Sequence, residues 1–196
     1  MTLPLLVLFQ SFIFIFGVLG LRFFRKAKHN FMWVLSALPF AIDSGLLITY
    51  YLRPSALPDF VLAPGYELPR ALATLLCVVA IALYMFTLGT HREALPGWHQ
   101  PQDQPSALVT WGPYRQIRHP FYSSYVLFFT GSLLLAPAWP LRLNSIYLFG
   151  IINLTAAREE RALAAAFPDY ANYIGRTGRF FPRLLGRRSA SGAATA

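Results

Sequence analysis

Residues Phe121–Ala157 read FYSSYVLFFTGSLLLA-PAWP-LR-LNSIYLFGIINLTAA, and they decide the fold. Two apolar runs, Phe121–Ala136 and Leu143–Ala157, flank Pro137-Ala138-Trp139-Pro140. The prolines signal a sharp turn, and tryptophan is a residue of the membrane–water boundary. Each run is shorter than the roughly 20 residues a helix needs to cross a hydrocarbon core, so flanking residues extend it or it lies at a thin, protein-buried place. The pair predicts one tight helical hairpin. A polar cluster stands at each open end: Gly112-Pro113-Tyr114-Arg115-Gln116-Ile117-Arg118-His119-Pro120 before the first run, and Arg158-Glu159-Glu160-Arg161 after the second. A hairpin brings its two open ends to one place, so these clusters are expected to be neighbours.

The rest of the chain fits a membrane setting. Of its 196 residues 56% are hydrophobic, 16% aromatic and only 13% charged. Three further apolar segments, Leu3–Phe24, Phe31–Leu52 and roughly Leu68–Leu88, bring the expected spans to five. The first has no basic region before it and no small-residue cleavage site, so it reads as a retained span and not a signal peptide. The net charge of +9 does not point to nucleic acid, because the basic residues sit between and after apolar runs. Fourteen of the seventeen lie in the loop after the first segment, in the loop after the third, or beyond the fifth; only Arg53, Arg70 and Arg142 lie on the other side. The positive-inside rule then sets the C-terminus in the cytoplasm and the N-terminus outside, in what is read as a bacterial inner membrane. Residues 1–188 are expected to form a single domain, followed by a small polar tail, Ser189–Ala196, expected to be disordered.

Several residues in these clusters carry possible chemistry. Pro120 suits the first turn of a helix, where its missing N–H is not needed, and His119 would be the N-cap. The positive end of that helix faces the same side as the polar clusters. Tyr114, His119 and Tyr122 offer rings and hydrogen-bonding groups, although Tyr and Arg are also ordinary boundary anchors. Glu159 and Glu160 are two of only eight acids. They read either as a solvated helix end flanked by Arg158 and Arg161, or as a carboxylate site for a cationic ligand. Asp43 is the one acid deep in a span; it is either functional or an acceptor inside the bundle, with the second reading preferred. His29, His91 and His99 show no metal-ligand spacing with each other or with the lone Cys77, which reads as a small packing residue, and no metal is expected.

Together these features resemble the isoprenylcysteine carboxyl methyltransferase family, small integral membrane enzymes that use S-adenosylmethionine. One block is Leu108-Val109-Thr110-Trp111-Gly112-Pro113-Tyr114 followed by Arg118-His119-Pro120-Phe121-Tyr122, similar to the family's L-V-x-x-G-x-Y-x-x-x-R-H-P-x-Y. The other is Glu159-Glu160, then Phe167, Tyr170, Tyr173 and Thr177-Gly178-Arg179-Phe180-Phe181-Pro182, similar to the family's E-E ending. The resemblance implies an all-α membrane enzyme of five transmembrane helices with a cytoplasmic cofactor pocket beneath the hairpin. It implies that Tyr114, His119, Pro120, Phe121 and Tyr122, the backbone of Ser106, Ala107, Leu108 and Val109, and Glu159 bind the cofactor. A zwitterionic sulfonium needs such ring surfaces, acceptors and donors.

The chain departs from the family at three points: Ser124 in place of a common glycine, Phe167-Pro168 in place of Phe-Gly, and Thr155 where a substrate-side arginine is usual. Arg158 or Arg118 would then meet the acceptor, and Glu160 or His119 would be the base if the acceptor must lose a proton. The expected reaction is methyl transfer to a lipophilic or small acceptor resembling an isoprenylcysteine carboxylate. The alternatives are a phospholipid or thiol methyltransferase with the same pocket, or a non-catalytic membrane protein or small transporter. A transporter should carry polar groups at mid-bilayer in broken helices, whereas here they gather at one face. Membrane lipid is the expected partner, and nucleic acid is not.

Overall fold

The computed structural model describes residues 2–20, 31–91 and 107–183. Among them the secondary structure is helical, with one isolated pairing of extended backbone, Ile117 with Gly178. Helix α1, Leu3–Phe14, starts with Pro4 in its first turn and continues as a wider π-helix over Ile15–Gly20. Helix α2 is Phe31–Leu52 and helix α3 is Glu67–Thr90. Helix α4 is Pro120–Leu135, with His119 as its N-cap and the proline in its first turn. Helix α5, Trp139–Ala166, takes in the whole second run of the hairpin, with Pro140 in its first turn. It also runs on through Arg158-Glu159-Glu160-Arg161, so flanking residues do extend this run. Helix α6, Tyr170–Arg176, is short.

Two of these helices, over Leu35–Leu52 and Glu67–Thr90, are long and apolar enough to cross a membrane by themselves; Leu3–Val18 and Pro120–Leu135 are shorter apolar helices. The outward face suits lipid. Large side chains such as Phe86 (62% exposed) and Ile146 (65%) stand out from α3 and α5, and soluble monomers rarely show so broad an apolar surface. The first loop with its basic residues and His29, the loop holding Arg92, His99 and Ser106, and the tail beyond Arg183 lie outside the described residues.

Helices α3 and α4 pack most closely. Ala73, Cys77 and Ala80 recur along α3 with no exposed surface, and a Cβ at Gly131 would come within 3.1 Å of the Ala73 carbonyl. Small residues let two helix backbones approach, which is how helices pack without water to drive them together. Cys77 is thus a packing residue. The core above it is a block of rings. Phe12 stacks on Phe128 (4.4 Å, 12°) and Phe16 on Phe40 (4.0 Å, 15°), and Tyr125 makes edge contacts with Phe12, Phe16 and Phe40.

Polar side chains fix how the helices are rotated. Pro39 inside α2 has no N–H to give the Leu35 carbonyl. The Tyr147 hydroxyl of α5 donates to that carbonyl at 3.0 Å, and Asn144 Nδ2 donates to the Pro39 carbonyl at 2.8 Å. Two residues three apart on α5 therefore read the flaw in α2. Asp43 is fully buried, and its Oδ2 accepts from the Ser132 hydroxyl of α4 at 3.0 Å. It serves as an acceptor inside the bundle. At the far end the Tyr66 hydroxyl satisfies the Leu134 carbonyl, one of the α4 C-terminal groups without a helical partner.

Candidate active site

At the open end of the hairpin, three backbone segments are tied together. The chain enters at Gly112 with φ +57°, where a Cβ would come within 2.5 Å of Thr90 Oγ1. Only glycine suits both the left-handed backbone and the close approach. The following 3₁₀ turn, Gly112–Arg115, lies on the C-terminal end of α3, and Trp111 Nε1 donates to the Thr90 carbonyl at 3.0 Å. Residues 116–119 then pair with 178–179. Gly178 N donates to the Gln116 carbonyl (3.0 Å), Arg118 N to the Gly178 carbonyl (2.8 Å) and His119 N to the Arg179 carbonyl (3.0 Å). The Ser123 hydroxyl, one turn into α4, donates to the Phe180 carbonyl at 2.6 Å. A side chain at Gly178 would collide with the Phe181 carbonyl, so the family-like Thr177-Gly178-Arg179 serves a tight return of the chain.

The two carboxylates of α5 meet this segment differently. Glu160 is enclosed, its side chain 12% exposed. Its Oε1 accepts from Arg118 Nε (2.9 Å) and Arg179 Nε (3.1 Å), lies 3.3 Å from His119 Nε2, and its Oε2 pairs with the same Arg179 guanidinium. Arg118 also donates to the Thr177 carbonyl at 2.6 Å, and Arg183 to the Gly175 carbonyl at 2.6 Å. Both cations thus cap the C-terminal end of α6, where carbonyls and the helix dipole favour positive charge. Arg179 reaches Asn153 of α5 as well, at 2.8 Å.

Glu159 is 35% exposed. Its Oε1 accepts from the Tyr122 hydroxyl at 2.7 Å, and its Oε2 lies 3.3 Å from His119 Nδ1. His119 is buried between the two carboxylates, and its ring stacks on Tyr122 (5.4 Å, 16°) with Phe180 tilted against it.

The electrostatics follow from these partners. Burial alone would raise the Glu160 carboxyl, but hydrogen bonds from His119, Arg179 and Arg118 hold it well below the usual carboxylate range. Burial would lower His119, yet its bonds to Glu159 and Glu160 and their charges outweigh that and raise it. An imidazolium shared by two carboxylates over a tyrosine ring is a favourable arrangement. Tyr114 is raised by burial first, then by the charge of Glu159 and by Tyr173, so its hydroxyl stays protonated. That hydroxyl is 3.0 Å from His91 Nε2, and the Tyr114 carbonyl accepts from the Tyr173 hydroxyl at 2.7 Å.

The structure therefore brings together Tyr114, Arg118, His119, Tyr122, Glu159 and Glu160. Pro120 and Phe121 are buried at the start of α4, with Phe121 beside the His91 ring (6.1 Å, 13°). Leu108 and Val109 are half-buried, Ala107 is exposed, and Ser106 lies outside the described residues. Arg158 is exposed on α5, and Thr155, one turn before Glu159, is buried. Sequence reading missed three participants. Arg179 stands there in a motif and among the basic residues, His91 as a histidine without metal-ligand spacing, and Asn153 only within the second apolar run. The signal for Arg179 was one basic residue beside a glycine in an aromatic stretch. For His91 it was a histidine at the end of a span that shares the polar face. Among the described residues no group of three or more His, Cys, Asp or Glu side chains is placed to hold a metal ion.

Among the described residues the helices form a bundle with a broad apolar surface and an enclosed polar cap at the open end of the hairpin, as a membrane setting requires. The profile of the phospholipid methyltransferases matches residues 68–170, just over half of the chain, and the chain belongs to that family, within the isoprenylcysteine carboxyl methyltransferase-like membrane methyltransferase superfamily. It is also similar to the cobalt-zinc-cadmium resistance protein CzcN of Cupriavidus metallidurans, 38% identical over 80 residues that cover 40% of this chain and 37% of that protein. The nickel-cobalt-cadmium resistance protein NccN of Alcaligenes xylosoxydans xylosoxydans is 32% identical over 120 residues, covering 61% of this chain and 55% of that protein. The chain thus spans about half or less of the length of these curated relatives.

Proposed function

We propose that the chain is a five-span integral membrane methyltransferase that takes its methyl group from S-adenosylmethionine at the cytoplasmic end of the α4–α5 hairpin. The observation that carries this reading is the contrast between the two carboxylates. Glu160 is consumed by two arginines and a histidine, whereas Glu159 keeps an exposed edge within a group of rings. A partly dry carboxylate beside aromatic faces suits a cationic, adenine-bearing ligand.

S-adenosylmethionine supplies a methyl group on a positively charged sulfur. Glu159 would meet the amine or ribose hydroxyls, the rings of Tyr114, Phe121 and Tyr122 would flank the base, and the backbone of 107–109 would close one side. His119 holds Glu159 in place, and Arg118 with Glu160 fixes the segment that carries His119. Such a site acts by proximity, orientation and exclusion of water. A lipophilic acceptor would enter from the bilayer. With Thr155 in the usual arginine position, the exposed Arg158 is the nearby cation on α5 for an anionic acceptor. The single domain is read as 1–188. A second reading, a non-catalytic membrane component of a metal resistance system, is favoured by the names of the two relatives.

Calorimetry on detergent-purified protein with S-adenosylhomocysteine separates the two. Binding is expected, and Glu159→Ala and His119→Ala should each weaken it at least tenfold, about 1.4 kcal/mol. No binding, or no change in either variant, would favour the resistance-component reading.

A further inference from the structure

We propose that His119 distinguishes the charged methyl donor from its spent, uncharged product: it is an imidazolium in the free protein and beside the product, and it gives up its proton when the donor's sulfonium is bound. This rests on the methyltransferase reading above and adds to it one proton exchanged with water at each turnover. His119 is buried with a carboxylate at each ring nitrogen: Glu159 Oε2 is 3.3 Å from Nδ1, and Glu160 Oε1 is 3.3 Å from Nε2. The other charged or titratable groups around this trio are Arg118 beside it, Tyr122 from α4, Arg179 from the return segment and Tyr170 from α6. Beyond Tyr114, whose hydroxyl feels the charge of Glu159, lies His91 of α3. Burial keeps the Tyr114 and Tyr170 hydroxyls protonated. Glu160 is held by Arg118, Arg179 and His119, and a carboxylate so held takes up no proton near neutrality. His119 is the group of this cluster that can change its charge there. It also stands against Glu159, the carboxylate assigned to the cofactor, which has an edge open to water.

The charges balance. Among Glu159, Glu160, Arg118, Arg179 and protonated His119, one positive charge is in excess. With a sulfonium donor bound, whose amine and carboxylate cancel, the excess becomes two. Like charges in an enclosed site repel strongly, and His119 relieves this by releasing its proton past the exposed edge of Glu159. When the methyl group has left, its bonding pair stays on sulfur and the sulfur is uncharged; a proton from water then returns to His119. The cap thus carries the same charge in the free, donor-bound and product-bound protein. By linkage, the donor gains affinity over the product as pH rises through the His119 value.

The test has two arms on the full-length protein in detergent, and neither needs turnover. In the first, NMR of labelled histidine follows His119. It should be cationic at pH 7 in the free protein and with S-adenosylhomocysteine, and should lose its proton at a lower pH with S-adenosylmethionine. In the second, calorimetry gives the affinities of both ligands between pH 6 and pH 9. The two share the same titrating amine, so the ratio of their affinities isolates the sulfonium. That ratio should rise about tenfold in favour of S-adenosylmethionine, as one like charge removed from a partly dry site implies. His119→Gln keeps a donor without a titrating charge and should leave the ratio flat. Glu159→Gln removes one of the two charges that hold the proton, so His119 in the free variant should titrate at a lower pH than in wild type; this keeps the test open if His119→Gln does not fold. A neutral His119 in the free protein at pH 7, a flat ratio in wild type, or an equal rise in His119→Gln overturns the proposal while leaving the methyltransferase reading standing. Failure of wild-type protein to bind either ligand removes both.

Discussion

Removing the Glu160 carboxylate should loosen the whole polar cap, and the structure indicates by how much. Glu160→Ala strands Arg118, whose side chain is 11% exposed, together with the partly exposed Arg179. Breaking a buried ion pair by deleting one partner costs about 3–5 kcal/mol. The Arg179 arm, 35% exposed, is screened by water and adds little. Two contacts offset part of the loss: Arg118 keeps the Thr177 carbonyl and His119 keeps Glu159. An effect of about 3 kcal/mol remains, at the lower end of that range. Glu160→Gln keeps an acceptor without the charge and should lose less, on the order of 1.5–3 kcal/mol for charge-assisted hydrogen bonds. Denaturation of detergent-purified protein measures both, with Arg161→Ala, an exposed neighbour, as a control expected within about 0.5 kcal/mol of wild type. Hydrogen exchange should show the amides of Arg118, His119 and Gly178 losing protection together, since all three belong to the pairing that Glu160 braces. A Glu160→Ala protein as stable as Arg161→Ala, with those amides still protected, would refute the argument that this carboxylate holds the cap.

Four further outcomes follow. His119 has a raised pKa in the folded protein, so its contribution is complete below the unfolded value of about 6.5 and is lost as pH rises through the folded value; stability measured from pH 6 upward should fall, and His119→Gln should flatten that fall. Glu160 acts in the opposite sense: its contribution is present above the unfolded carboxyl value and lost only as pH drops through a much lower folded one, so moderate acid should not release the cap. Gly112→Ala places a Cβ in left-handed backbone, about 1–2 kcal/mol, and against Thr90 as well; Thr90→Ala added to it should recover the steric part alone, as read by denaturation. Reporter fusions at Ala196 and within the 54–69 loop should report opposite sides of the membrane, and the same side for both would refute five spans.

Much of this protein was legible before any coordinate. The apolar runs and the Pro137–Pro140 turn gave α2 its exact bounds and α4 and α5 their hairpin, because helix-forming apolar stretches and proline act locally. The N-cap position of His119 was legible too, because Pro120 can be accommodated at few places in a helix. Long-range partners were not. Nothing in the spacing tells that Tyr147 and Asn144 answer Pro39, or that Arg179 shares Glu160 with Arg118, since each pairing depends on where two separate segments come to rest.

The clearest division lies between Glu159 and Glu160. The sequence by itself determined that two acids would stand side by side at the open end of a hairpin, next to a histidine. It could not tell them apart. Adjacent residues on a helix with 3.6 residues per turn point about 100° apart, so one must face inward and the other toward the opening. Which is which depends on the rotation of α5 about its own axis. That rotation is set some four turns away, where Asn144 and Tyr147 engage α2 and Leu141 and Leu148 are buried in the core. Only the packed bundle made Glu160 the brace and left Glu159 with an exposed edge.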